Sequence, residues 1–499
     1  MIIVTVMVAA QMVVIDTTIA NVALPHMQAA LGATPESIAW VLTSYIVAAA
    51  VATPITGWLE AQLSRRTCFI GSIVIFTASS ALCGLAGSLE LMVAARVVQG
   101  ISGAFLIPLS QSILLDSSPL EKRAQAMSVL MMGMILGPIM GPVVGGWITD
   151  NIDWRWIFYI NVPMGLISAV ATFFLIPNVP VERRSFDMFG FMLLAICLAS
   201  LQLMLDRGTH KDWFHSPEIV IEAGLAIGGL WMFIVHSATA KAPLIPTALF
   251  RDRNLMVSSL FQFLSAGVVF GGAALQTTML QTVMGYDTTD AGMMMMPRAS
   301  CSLIGLFLVG RLAGKVDLRY FIGCGVVIAA TGLALMTNFN LAMDSWLMIV
   351  SGGVLGTGVG LMTMPLQLLA FETLKAELRT EGAALFSLSR NLGGSVVISF
   401  LTATIARNAQ TSHADLASHI TPERMPVVDE RLLGMLGRDG SAIAMMVDGE
   451  INRQAMMIAY VDAFWLMMWA TILTLPALLL LRRRSAKTVQ AEAQAPAME

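Results

Sequence analysis

Runs of about 20 apolar residues recur along the whole chain, and nothing constrains its fold more. They lie near 2–24, 37–59, 68–88, 90–114, 125–149, 156–177, 188–206, 218–238, 254–275, 291–310, 320–340, 345–370, 382–406 and 456–481. A helix of that length crosses a hydrocarbon core of about 30 Å and satisfies its own backbone polar groups there. The pattern predicts an all-α membrane protein with about fourteen spans; between 240 and 300 polar and apolar residues mix and the edges blur. Composition agrees. Of 499 residues only 12% are charged, against about 25% in soluble domains. A net charge of −3 gives no footprint for nucleic acid or a polybasic anchor. The first run contains Asp16 and has no basic n-region, which argues against a cleaved signal peptide. The five cysteines sit in apolar runs without CxxC or Cys/His spacing and read as small buried hydrophobes.

Basic residues set the orientation. With the N-terminus in the cytoplasm, inner loops collect Arg65, Arg66, Lys122, Arg123, Arg183, Arg184, Lys241, Arg251, Arg253, Arg311, Lys315, Arg319, Lys375 and Arg379, and the tail adds Arg482, Arg483, Arg484 and Lys487. The short outer loops hold only Arg155, Arg207 and Lys211. Both termini are therefore expected in the cytoplasm. Segment 407–455, with His413 and His419, is expected as a long outer loop, either plainly solvated or carrying an amphipathic adaptor contact; Asp462 is expected where the last helix begins. The tail 483–499 reads as disordered.

In the fifth run, GMILGPIMGPVVGG places Gly133, Gly137, Pro138, Gly141, Pro142, Gly145 and Gly146 on one slowly precessing stripe. Such a stripe lets a second helix approach backbone to backbone, as small-xxx-small patterns do in membranes. The chain also echoes itself. Gly57-Trp58-Leu59 before Arg65-Arg66 matches Gly310-Arg311-Leu312 before Arg319, and Gly103 with Pro108 matches Gly360 with Pro365. Arg123-Ala124-Gln125-Ala126 loosely matches Thr380-Glu381-Gly382-Ala383. Two parallel six-helix halves account for this, with spans seven and eight inserted between them.

These residues resemble the fourteen-span drug:proton antiporter branch of the major facilitator superfamily (the EmrB/QacA type). The glycine–proline stripe looks like its antiporter motif, Asp16–Pro25 like its first-helix motif, and Arg96-Val97-Val98-Gln99-Gly100 like its fourth. Trp154–Pro163 and Ser387–Gly394 resemble the starts of its sixth and thirteenth helices. The resemblance implies the major facilitator fold: an N-terminal half 1–187, an inserted hairpin 188–240, a C-terminal half 241–482, and the tail. The family's gating loop, G-x-L-A-D-x-x-G-R-R, is matched at Gly57, Arg65 and Arg66, but Ala61 stands in place of the acid and Ser64 in place of the second glycine. Either Glu60 substitutes for the acid, or the gate relies on the arginines alone.

A proton antiporter needs a carboxyl group that either a proton or a cationic substrate neutralises. Asp16 is the candidate, with Arg96 as its charge partner; the alternative is an ion pair that only locks helices one and four. Asn21, Gln99, Gln111, Gln281, Arg390 and Asn391 are candidate cavity residues, although interhelical bonding is the commoner use of such side chains. Met293–Met296 face every side of a helix and read as packing. No P-loop, GxSxG triad or HExxH appears, so neither enzymatic chemistry nor ATP is expected; an ion gradient, most economically of protons, is. No cofactor or metal is implied. Two further stretches, Leu106–Ser112 and Met204–Gly208, look like the pump of a tripartite efflux system. That implies export of lipophilic toxic compounds across a bacterial inner membrane, with an EmrA-like periplasmic membrane-fusion adaptor and a TolC-like outer-membrane channel as partners. The alternatives are export of one dedicated metabolite or siderophore, a solute:proton symporter, and a non-transporting receptor or scaffold.

Overall fold

The computed structural model describes residues 1–119, 122–178, 185–209, 211–313, 315–419 and 441–481. Arg183, Arg184 and the tail with Arg482, Arg483, Arg484 and Lys487 lie outside the described residues, as do the side chains of Pro138 and Pro142. Among the described residues there is no strand. Thirteen helices are long and apolar enough to cross a membrane, and the 29-residue helix Arg123–Asn151 lies between the fourth and fifth of them. In chain order the long helices are α1 (Ile2–Leu31), α2 (Trp40–Leu63), α3 (Arg65–Leu85), α4 (Leu89–Ser117), α5 (Arg123–Asn151), α6 (Trp156–Leu175) and α7 (Met188–Arg207). They continue as α8 (Pro217–Thr239), α9 (Arg253–Thr282), α10 (Thr288–Leu312), α11 (Leu318–Met336), α12 (Ser345–Glu372), α13 (Arg379–Ser418) and α14 (Ser441–Ile472).

Prolines lie within these helices without ending them: Pro25 in α1, Pro54 within a 3-10 turn of α2, Pro108 in α4, Pro297 in α10 and Pro365 in α12. Polar side chains mark the starts: Ser88, Asp252, Asp287 and Asp317 each accept an amide of the helix they open. The outer surface is apolar. Ile167, Phe174, Ile227 and Trp231 stand largely exposed on α6 and α8, as bilayer contact demands.

The glycine stripe of α5 packs on α1. A Cβ at Gly137 would lie 2.7 Å from Cγ1 of Val14, and one at Gly141 would collide with the Thr18 side chain. Gly133 faces Met7 and Gly145 faces Ile19 in the same way. The second half repeats the device: Gly356 and Gly360 of α12 meet the backbone of Arg298 and Ser302 on α10.

The inserted pair α7–α8 lies along the seam between the halves. At one end Asp206 bonds Thr43 of α2, while Ser399 of α13 donates to the Leu205 carbonyl at 2.7 Å. At the other end Asp187, ahead of α7, accepts from the amides of Gly190 (2.9 Å) and Leu244 (3.1 Å) and contacts His236 Nε2 at 2.8 Å. Burial pushes this carboxyl upward, but the hydrogen bonds outweigh it and hold it below the usual carboxylate range. A depressed folded-state pKa stabilises fully above the unfolded value of about 3.9 and is lost as pH falls through the folded value. The thermal midpoint of Asp187→Asn should therefore lie below the parent's near neutral pH and converge on it below about pH 4; a constant gap down to acid pH would remove Asp187 as the cause.

Two expectations are corrected. Residues 407–418 and 441–455 are helical rather than loop: α13 runs 40 residues, about 60 Å, and α14 is under way at Ser441. Residues 420–440 of that segment lie outside the described set. Asp462 is accordingly well inside α14, where it accepts from Asn408 Nδ2 at 3.0 Å, and His413 contacts Asp448 at 3.0 Å. Hydropathy marks where the membrane ends, and a helix of good formers continues past that point.

Candidate functional site

Asp16 and Arg96 are both sealed in the first half, their side chains 1% and 0% exposed. Arg96 Nη1 donates to Asp16 Oδ2 at 2.6 Å. The other carboxylate oxygen accepts from Gln99 Nε2 at 2.8 Å and Asn161 Nδ2 at 3.0 Å. Arg96 Nε is held by the Val41 carbonyl at 3.0 Å, and its guanidinium lies 4.4 Å from the Tyr45 ring centroid. Asn161 is itself held by Ser80 at 3.0 Å. One carboxylate thus ties α1, α4 and α6 together, and the arginine adds α2. All three donors suit an ionised carboxyl group. Among the described residues Arg96 Nη2, Asn161 Oδ1 and the Tyr45 hydroxyl have no hydrogen-bond partner, so the cluster has slack for a second arrangement. A proton on Asp16 would remove the charge that compensates a buried guanidinium, and breaking such a pair costs about 3–5 kcal/mol.

A second constellation joins the halves at the end carrying Arg65 and Arg379. Arg65 Nε donates to Glu60 Oε1 at 2.6 Å. Asp116, at the end of α4, pairs through one oxygen with Arg65 and through the other with Arg379 at the start of α13. The hydroxyls of Ser112 and Thr380 bond beside it at 2.7 Å. Gly57 gives room to the Glu381 side chain, and Ser128 of α5 donates to the Leu306 carbonyl of α10 at 2.9 Å. The two halves are closed at this end. Glu60 sits against Arg65 where the family pattern has its acid one residue later. Arg66 turns away, its guanidinium 4.4 Å from the Phe173 ring, and is not part of the constellation. Ser64 shows why the pattern carries glycine there: its φ of 67° and ψ of 151° belong to a region that side chains rarely enter. The Ser64 hydroxyl in return bonds Asn178 at 2.7 Å and accepts the Thr67 amide.

The charges of this constellation are partly exposed, Asp116 by 26% and Arg379 by 14%, so each pair is worth about 1 kcal/mol or less. Asp116→Asn should then widen the population open at this end by about five- to tenfold. Spin-label distances between the ends of α4 and α13 would register the change, and an unaltered distribution would exclude Asp116 as a latch.

The other expected site residues scatter. Gln99 belongs to the Asp16 cluster rather than to an open cavity. Gln111 is fully buried on α4, its side-chain amide unpartnered. Asn21 is exposed and donates to the Thr17 carbonyl, Gln281 lies at the end of α9, and Arg390 bonds Ser387 at 3.1 Å beside an exposed Asn391. Sequence reasoning missed Asn161, Tyr45, Asp116, Gln276 and Arg298. Arg298 alone had a readable signal, as an ionisable group inside an apolar run.

The family model described as Major Facilitator Superfamily matches residues 6–398. The chain is 34% identical to the multidrug export protein EmrB of Haemophilus influenzae, over 91% of this chain and 90% of that one, and 33% identical to EmrB of Escherichia coli K12 over the same shares. It is 34% identical to the fatty acid resistance protein FarB of Neisseria gonorrhoeae over 82% of each. Its fold is similar to that of the human organic anion transporter MFSD10, with a TM-score of 0.58 at 13% identity, covering 94% of this chain and 98% of that one.

Proposed function

From a chain that belongs to the major facilitator superfamily, we propose proton-driven efflux of lipophilic toxic compounds across the bacterial inner membrane. The buried Asp16–Arg96 pair carries this reading. It is a titratable group at membrane depth, held by donors from several helices, and its protonation frees a guanidinium that no other carboxylate among the described residues compensates. The state described, closed at the Arg65 end, is the outward-facing one if that end is cytoplasmic, as the distribution of basic residues indicates. A proton reaching Asp16 from outside releases Arg96 and loosens α1 from α4 and α6. The halves then rock, the Asp116 latch opens, and the proton leaves inward as substrate enters. Names of relatives support the cargo: two are multidrug export proteins and one confers resistance to fatty acids. On the same footing we infer an EmrA-like adaptor and a TolC-like channel as partners, and both termini in the cytoplasm.

The test is ethidium efflux from energised cells expressing the chain. Uncoupler-sensitive efflux above the vector control supports the reading. Efflux that persists with the gradient collapsed would refute proton coupling, and none at all in the presence of a matching adaptor and channel would refute efflux of such dyes.

A further inference from the structure

The first half compensates its buried arginine; the second half does not. Arg298, on α10, is 8% exposed. Its Nη2 is held by the carbonyls of Val268 (3.3 Å) and Val269 (2.9 Å). Both belong to the π-turn Gly267–Gly271, where the helical ladder of α9 is shifted and carbonyls are free to accept. Nη1 has no partner. No carboxylate meets it among the described residues: Asp462 of α14 is bonded to Asn408, and α9 carries no acid at all. Gln276, a turn beyond the π-turn, is fully buried, and both its side-chain amide atoms are unpartnered.

Two glycines pack against these groups. A Cβ on Gly272 would lie 3.0 Å from Met467 Cε and 3.4 Å from Nη1 and Nη2, and one on Gly352 would lie 3.6 Å from Arg298 Cβ and 4.0 Å from Gln276 Nε2, so Gly352 faces both side chains. Carbonyls anchor one arm of the fork, Gly272 faces it, and Gly352 lies against both Arg298 and the buried Gln276 amide. A guanidinium buried without a counter-charge is costly, and an arginine presents parallel N–H groups that match a carboxylate.

We propose that Arg298 and Gln276 form a subsite for the carboxylate of an amphiphilic substrate, which supplies the negative charge the second half lacks. The free Nη1 and the Gln276 amide donate to its two oxygens, while the apolar body extends along the membrane-facing interior. This rests on the export reading above and narrows its cargo to include lipophilic carboxylic acids.

Binding is measured on the full chain in nanodiscs with pyrenebutyrate and with pyrenebutanol, which lacks the charge. The parent should bind the acid about tenfold or more tightly than the alcohol, as hydrogen bonds to a charged group warrant. Arg298→Gln should abolish that ratio, Arg298→Lys should retain part of it, and Gln276→Leu should lower it severalfold. Equal binding of the two probes by the parent, or a ratio that survives both Arg298→Gln and Gln276→Leu, would overturn the subsite. Should Arg298→Gln fail to fold because the π-turn loses its anchor, Gln276→Leu decides, since it breaks no bond in the fold. Ethidium efflux with no preference for the acid removes the subsite and keeps the export reading. A preference dependent on Arg298 in a chain that effluxes neither probe nor ethidium, with a matching adaptor and channel present, keeps the subsite and removes export.

Discussion

Asp16→Asn should lower uncoupler-sensitive dye efflux by about a hundredfold or more while the protein still inserts. The substitution nearly preserves shape and keeps one acceptor oxygen, but fixes the group in its neutral form. Arg96 then remains without the charge that Asp16 supplies at 2.6 Å, a bias of about 3–5 kcal/mol, or about two to nearly four powers of ten in a two-state equilibrium. A cycle that must pass through the ionised state cannot turn over. Folding and coupling separate in a double-mutant cycle. Asp16→Ala or Arg96→Ala alone should destabilise the chain in detergent, and the pair together by less than the sum, because the uncompensated charge is gone. Undiminished efflux by a folded Asp16→Asn protein would reduce the pair to a lock between helices.

Gly141→Leu should abolish transport outright, and with it most of the folded protein. The side chain would project from α5 into Thr18 of α1, whose hydroxyl reaches back to the Gly137 carbonyl at 3.4 Å. Overpacking a core costs about 1–3 kcal/mol where neighbours can give way. Here the neighbour is the helix carrying Asp16, and its displacement also strips donors from that carboxylate. Gly141→Ala should be milder, and Gly146→Ala nearly silent, since a Cβ at Gly146 meets Val22 only at 4.0 Å. Purified yield and efflux per molecule, measured across the three variants, check the ordering; equal yield and rate for Gly141→Leu would mean the helices do not need this approach.

The spans, their order and the Asp16–Arg96 pair were readable because hydrophobic length and charge in an apolar run are local properties of the chain. Asn161 was not: a buried asparagine at the start of α6 looks like any other until the fold brings it to Asp16. The latch was half readable. Glu60, Arg65 and the departure at Ala61 lie in one loop, but Asp116 meets Arg379 across 263 positions of sequence. The extension of α13 is hidden in the sequence because polarity marks the end of the membrane and not the end of a helix. Arg298 carries the same signal as Arg96, an ionisable group in an apolar run, but follows closely on the methionines Met293–Met296.

The inserted hairpin has a consequence for how a compound could arrive. It bonds α2 through Asp206 and α13 through Leu205, covering the groove where the two halves meet on that side. Lipophilic molecules dissolve in the bilayer, and a transporter with two open flanks could admit them from either. With one flank walled by α7 and α8, sideways admission is confined to the opposite flank, between α5 and α10. A compound exported from the lipid would then enter along α5, the helix whose glycine stripe holds α1.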